Sequence, residues 1–284
     1  MAKYKEYKDQ FVIAHIVDLD NPEAVTTYAA HLSRMLGKGV ILLHISDPAF
    51  STPSPDEAQQ RLQEIKERMV EQEQLKDVNY AALKGDTKMI VDALPTLLNG
   101  VVAVAKVVDG APKSSLLNAK TLLRTYATCK IAFLTVQEPL PYGKVIKEVA
   151  LTIDYKKESK EKMLWSTYFA RFNHSVIHPL YYHYNDEGLH YKWYANMKFM
   201  KKLFDGLSIT FVPNEIAGKK SFVDLPALDF ANQQGYELLI AVTTNEKDVA
   251  EWFIGTQEQR TILNEYHIPI LFVNPREDIY VLCD

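Results

Sequence analysis

Residues 145–154 read VIKEVALTID, an apolar, β-rich run that ends on Asp154. Residues 11–18 read FVIAHIVD, a run of the same kind that ends on Asp18, 136 positions earlier (154 − 18). The spacing holds at the next run, where Val40-Ile-Leu-Leu-His44 answers to Val176-Ile-His-Pro-Leu180, again at 136 (176 − 40). Further on, Val91-Asp92 answers to Val223-Asp224 at 132, Val102-Ala-Val104 to Leu239-Ile-Ala241 at 137, and Ile131-Ala-Phe-Leu134 to Ile268-Pro-Ile-Leu271 at 137. One unit present twice, with small insertions and deletions between its segments, accounts for these matches.

The boundary between the copies falls in the stretch 138–144, EPLPYGK. Two prolines and a glycine within seven residues disfavour both helix and ladder pairing. The expected domains are therefore 1–140 and 141–284. Within each copy, short apolar runs alternate with longer segments of helical period, the pattern of successive βα units on a mainly parallel sheet. The fold class is α/β, with two tandem, Rossmann-like five-stranded domains. Strands are expected near 11–17, 40–45, 78–83, 101–106 and 131–136, and near 146–153, 175–182, 208–212, 238–243 and 268–273. Helices are expected near 22–36, 56–76, 87–98 and 113–127, and near 157–172, 191–205, 220–234 and 256–266. Asn21-Pro22-Glu23, Ser54-Pro-Asp-Glu57, Asp86 and Thr256-Gln-Glu-Gln259 read as helix starts. Ile279–Cys283 reads as a final strand.

Composition excludes several classes. The chain has 284 residues, 47% hydrophobic and 24% charged, which fits neither a disordered nor a fibrous protein. A net charge of −4 supplies no global field for nucleic acid or an anionic membrane. The charged N-terminus has no apolar stretch behind it and no run of 18 apolar residues occurs, so a cytoplasmic protein is expected. Cys129 and Cys283 are too few and too isolated for a disulfide framework or a CxxC site, and read as reduced, structural thiols.

Segment 238–256, LLIAVTTNEKDVAEWFIGT, is a strand, a loop or short helix, and then Gly-Thr at a helix start. It resembles the universal stress protein family, whose phosphate-binding signature is G-x2-G-x9-G-[ST] after the fourth strand. Gly255-Thr256 fills the last two positions, whereas Val242 and Asn245 stand where the earlier glycines belong. The runs ILLHI at 41–45 and HIPILFVNP at 267–275 resemble the family's second and fifth strands. The resemblance implies an adenine nucleotide, AMP or ATP, as ligand. It makes Asp154 and Asp18 candidate contacts to the adenosine part, and Val242, Asn245, Gly255 and Thr256 candidate phosphate-loop residues. Backbone N–H groups at a helix start receive phosphate oxygens, and glycine permits the close approach. Asn245 can adopt a left-handed conformation, but a β-branched residue such as Val242 is strained there. Glu246, Asp248 and Glu251 oppose a polyphosphate, with Lys156 and Lys157 as partial offsets. In the first copy Asn118 and Ala119 replace Gly255 and Thr256, and the loop 106–115, KVVDGAPKSS, reads as a solvated turn.

Other features read structurally. His174, His178, His183 and His190 suggest a metal cluster, but SVIHPLYY is a strand pattern and Pro179 forbids the helix that would bring the first two rings together, so no metal is expected. Trp193, Met197, Met200 and Phe204 form a buried helical stripe. Asp92 and Asp224 receive no role. No G-x-S-x-G, HExxH, complete Walker A, GxGxxG or CxxC motif is present, so no catalytic residue is assigned and an enzyme lacks a positive warrant. The expected function is a universal-stress-type regulator of stress or starvation physiology. The alternative is a nucleotide-free scaffold built on a degenerate pair of such domains. Apolar fifth strands demand cover at a sheet edge, which the resemblance implies is supplied by pairing of the two copies, with a homodimer as a further assembly and neither nucleic acid nor membrane as partner.

Overall fold

Ten strands form one sheet in the order β3-β2-β1-β4-β5-β10-β9-β6-β7-β8, in a computed structural model that describes residues 10–50, 52–217, 224–242 and 257–274. In chain order the elements of the first copy are β1 (Phe11–His15), α1 (Glu23–Leu36), β2 (Gly39–Ser46), α2 (Pro55–Glu73), β3 (Val78–Lys84), α3 (Thr87–Leu97), β4 (Gly100–Lys106), α4 (Ala119–Tyr126) and β5 (Ala132–Val136). The second copy has β6 (Glu148–Ile153), α5 (Ser159–Tyr168), β7 (Val176–Tyr181), α6 (Glu187–Gly206), β8 (Asn214–Glu215), α7 (Asp224–Gln234), β9 (Leu238–Val242), α8 (Gln257–Ile262) and β10 (Ile270–Val273). Each half has its third, second, first, fourth and fifth strands side by side, all parallel. The repeat is exact in register at its start: Phe11 faces Gly39 and Glu148 faces Val176, 28 residues on in both cases (39 − 11 and 176 − 148).

The two halves meet through β5 and β10, which pair antiparallel with Leu134 opposite Leu271. Thr135 Oγ1 donates to the Ile270 carbonyl across this joint (3.2 Å). Strand residues alternate between two buried layers. Val12, Val104, Leu134, Val149, Ile240 and Leu271 lie in one, Ile13, Ala103, Phe133, Ala150, Leu239 and Phe272 in the other. Because both faces are covered, the strands read as near-continuous apolar runs rather than alternating ones. Both layers run through the joint, where Phe133 stacks on Phe272 at 5.2 Å.

Local chemistry explains where elements depart from expectation. Asn21 does not cap α1; Asp18 Oδ1 accepts from the Asp20 and Asn21 N–H groups instead (3.1 and 3.2 Å), and Pro22 precedes the first turn. Ser54 and Asp86 do cap, accepting from Glu57 and Met89 N–H. The helix expected from 113 starts only at Ala119, because Asn118 accepts from the Lys120 and Thr121 N–H groups and so defines its N-terminus. The helix expected over 157–172 loosens into a π-turn at Phe169–Asn173 and ends on left-handed His174.

The strand expected at 208–212 is reduced to a bridge between Phe211 and Ile177, with the ladder resuming at Asn214–Glu215. Ile177 N–H donates to Thr210 O (3.1 Å) and Ile216 N–H to Tyr181 O (2.9 Å), so alternate residues of β7 serve this edge. Pro179 is the residue between them on that side, and it has no N–H to give. The expected strand at 279–283 and most of the signature loop lie outside the described residues.

Candidate functional site

Parallel α/β sheets bind ligands outside the carboxyl ends of their strands, where neighbouring connections leave in opposite directions. Here that point recurs twice, between β1 and β4 and between β6 and β9. Because β5 and β10 are antiparallel, the two crevices open at opposite ends of the sheet. Asp18 follows β1 and Asp154 follows β6. Five inter-strand spacings lie between β1 and β6, so at about 4.8 Å each the strands that carry the two aspartates are also about 24 Å apart laterally. The two aspartates therefore belong to separate places and cannot share one ligand.

In the second half, β6 pairs with β9 only as far as Leu151 opposite Ile240, but with β7 as far as Ile153 opposite Tyr181. The strands part at Thr152, and Asp154 stands just beyond. Its Oδ1 accepts from Lys156 N–H (2.8 Å) and Ser159 Oγ (2.6 Å), which ties the turn to the start of α5. Asn196 on α6 braces the same turn from outside, its Nδ2 donating to the Asp154 and Lys156 carbonyls (2.9 and 2.8 Å). Lys162, 1% exposed, reaches Thr152 Oγ1 with its Nζ at 2.9 Å. No pattern in the sequence marks this buried lysine, since it ends the charge-rich run KKESKEK at 156–162, which reads as surface.

Val242 is the last residue of β9 and lies opposite Val273 in regular register. It has none of the positive φ values a phosphate-loop glycine would use. It shares the carboxyl edge of adjacent strands with Asp154. Asn245, Gly255 and Thr256, as well as Glu246, Asp248 and Glu251, lie outside the described residues.

The first half is more closed. Asp18 spends both carboxylate oxygens locally, its Oδ2 accepting from Asn21 Nδ2 (3.0 Å). The start of α4 is occupied by its own Asn118 side chain, whose Nδ2 also donates to Ala111 O (2.8 Å). Thr121 Oγ1 donates to Lys113 O (2.9 Å), folding the 106–118 loop back on the helix. Gly110, at φ 72°, supplies the turn. Behind this crevice, buried His15 shares a 2.8 Å hydrogen bond between Nδ1 and Tyr126 Oη, and buried His44 uses Nδ1 toward Ile16 O (2.8 Å). Burial, with the nearby His44, pushes His15 down to about 3.

The histidines of the second half do not converge. His178 Nε2 pairs with Glu148 (2.6 Å) at the start of β6 and its ring stacks on Tyr236 at 4.0 Å, whereas His183 and His190 face each other at 5.8 Å beyond the end of β7. Among the described residues no three His, Cys, Asp or Glu are placed to hold a metal ion. Cys129 is buried, donates toward Val91 O, and is pushed up to about 11 by burial, the character of an inert thiol. Cys283 lies outside the described residues. A cavity of about 700 Å³ opens where the chain passes from β7 into α6, and aromatic side chains line it. Its rim residues Tyr191 and Tyr194 fall off the stripe of Trp193, Met197, Met200 and Phe204, which is the signal that separates them from core.

A doubled 3-2-1-4-5 parallel sheet joined through its fifth strands, with an aspartate after each first strand, defines a class of paired α/β domains. No family model matches the chain, and no curated protein matches it. Solved structures do. A universal stress protein from Archaeoglobus fulgidus DSM 4304 is similar with a TM-score of 0.71 at 11% identity, over 96% of this chain and 98% of that one. A universal stress protein from Pseudomonas aeruginosa UCBPP-PA14 gives 0.66 at 12% identity over 97% of each. The cytoplasmic domain of a prokaryotic cation chloride cotransporter gives 0.56 at 12% over 93% of this chain and 95% of that one. The fold is that of the universal stress proteins. Among the described residues no helix is long and apolar enough to cross a membrane.

Proposed function

We propose that the chain is a universal-stress-type regulator, built of domains 1–140 and 141–284, that takes an adenine nucleotide, AMP or ATP, in the crevice of its second half. The observation that carries this reading is the position of Asp154 at the parting of β6 and β9, at the switch point of a sheet with this fold. The aspartate meets the adenosine part, and Asn245, Gly255 and Thr256 meet the phosphates. Stress or starvation physiology in the cytoplasm, and association of two chains, are part of the same proposal. The second half binds better than the first, whose helix start is already taken by Asn118. AMP suffers less than ATP, because fewer charges meet Glu246, Asp248 and Glu251, whose repulsion is screened within about 8 Å at physiological ionic strength.

Calorimetry with AMP, ADP and ATP on the wild type, Asp154→Ala, Thr256→Ala and Asp18→Ala tests it. Binding weakened by the first two variants and untouched by the third is the expected result. Thr256→Ala removes one donor at a cost of about 0.5–1.5 kcal/mol. The alternative, a nucleotide-free scaffold, is favoured by Val242, a strand residue where the signature has glycine. It predicts no heat with any of the three nucleotides.

A further inference from the structure

We propose that the cavity at the start of α6 is a binding site for a small organic cation that presents a methylated ammonium group. The inference does not rest on the nucleotide reading. The cavity is lined by His183, Tyr184, Glu187, His190, Tyr191 and Tyr194, with Asn185 at its edge. At about 700 Å³ it falls in the range of small-molecule sites and leaves room for a substituent beyond the ammonium head.

Charge decides the class of ligand. Among the described residues Glu187 is the one Asp, Glu, Lys or Arg in the lining, and it makes no ion pair with any of them. No described lysine or arginine lines the cavity. A helix N-terminus ordinarily invites an anion. This one is already served by two carboxylates, Asp186, which accepts from Leu189 N–H (2.9 Å), and Glu187 in the first turn. A phosphate or carboxylate entering here meets like charge, and a cation meets opposite charge.

The aromatic rings select a soft cation over a hydrated one. The floor is held from behind: buried Tyr184 meets Tyr155 edge-on at 5.5 Å, and His190 sits 5.2 Å from the Trp193 ring. Tyr191 and Tyr194 are 75% and 57% exposed, on a helix that packs through buried Asn196, Met200 and Phe204 and half-buried Trp193 and Met197. Their faces are therefore available at the rim. Within the described residues the cation–π contacts are Lys66 on Tyr80, Lys160 on Phe199 and Arg171 on Phe172, so no described residue places a cation on these rings. Aromatic faces around a carboxylate attract a cation electrostatically, most effectively one that sheds its water easily, as a methylated ammonium does.

The test titrates the full chain with choline and with 3,3-dimethyl-1-butanol, its uncharged isostere, by calorimetry. Choline is expected to saturate and to bind about tenfold or more tightly than the isostere. Tyr191→Leu and Tyr194→Leu, at exposed positions that leave folding intact, each weaken choline by about threefold to tenfold, and Glu187→Gln does likewise. Vesicles of phosphatidylcholine tell the two sources of this group apart: co-sedimentation that Tyr191→Leu abolishes assigns a lipid headgroup, and its absence beside choline binding assigns a free metabolite. Choline and AMP are titrated separately on the wild type, so failure of nucleotide binding and failure of this site are separate results. Equal affinity for choline and its isostere, or no saturation by about 50 mM choline, where any residual attraction would fall below about 2 kcal/mol, overturns the proposal. AMP binding abolished by Tyr191→Leu without choline binding also overturns it, in favour of a base-stacking surface.

Discussion

The two halves share a backbone frame and differ in where they bury polarity. At the 136-residue offset, His15 and His44 of the first half correspond to Leu151 and Leu180 of the second, all buried. In the other direction, Ile16 and Thr26 correspond to Thr152 and Lys162. The first half thus carries two histidines and Tyr126 beneath its crevice wall, whereas the second carries a lysine and a hydroxyl at the parting of its strands. Duplicated frames tolerate such exchanges because each polar group brings its own partner: Tyr126 for His15, the Ile16 carbonyl for His44, Thr152 for Lys162. What differs between the halves is therefore chemistry at the crevice rather than topology.

The sharpest way to break the comparison is to break the joint. Phe272, 1% exposed, stacks on Phe133, which in turn stacks on Tyr126 at 4.8 Å. Phe272→Ala removes a buried ring shared by both halves and should cost about 3–5 kcal/mol. Urea denaturation followed by tryptophan fluorescence and by circular dichroism should show one transition for the wild type. Two separated transitions in the variant would mean that the halves fold independently once the joint is weakened.

Acid should act mainly through the first half. His15 is held at about 3 by burial and then by the His44 charge, and His31 at about 4 by burial and then by Arg34, against Glu237. Both folded values lie below the ordinary 6.5, so the unfolded chain binds more protons in between. Stability is complete above about 6.5 and falls as the pH drops toward 3–4, by about 1.4 kcal/mol per pH unit for each such group. Giving His15 the leucine of the second half and removing its partner's hydroxyl, His15→Leu with Tyr126→Phe, removes the largest of these contributions and its hydroxyl partner together. Urea midpoints at pH 7 and pH 5 should then differ less than in the wild type; an unchanged difference would place the acid sensitivity elsewhere.

Much of this frame was legible in the sequence, for physical reasons that also mark where legibility stops. Strands buried on both faces appear as unbroken apolar runs, so 40–45 and 238–243 lie within about one residue of Gly39–Ser46 and Leu238–Val242. The third strand of the second half was misplaced because its partner's Pro179 removes a donor, and that cause sits on another element. The start of α4 was misplaced because Asn118 competes with the proline and serines before it, which a periodicity argument does not weigh. Asp18 and Asp154 were legible as strand-end residues, but not that the antiparallel joint sends them to opposite ends of the sheet. Tyr191 and Tyr194 stand outside the stripe of Trp193, Met197, Met200 and Phe204, so the sequence separates them from core, but only the fold shows that they rim a cavity.

The smallest expected effect is at Lys162, and its sign is the informative part. Burying an amine in a wall that is 1% exposed costs more than its one hydroxyl partner among the described residues, Thr152 at 2.9 Å, returns, about 1 kcal/mol. Lys162→Met keeps the length and apolar stem of the side chain and discards the amine. It should therefore stabilise the ligand-free protein, by about 1–2 kcal/mol, where most substitutions of a fully buried residue destabilise. Thr26→Met, at the matching place on the first half's helix, has no buried amine to remove and should not stabilise. If AMP raises the melting temperature of the wild type but not of Lys162→Met, the lysine is retained at a stability cost because it faces the ligand's charge. If AMP stabilises both equally, or Lys162→Met is destabilised, the lysine is a satisfied part of the wall and the polar exchange between the halves is a matter of packing alone.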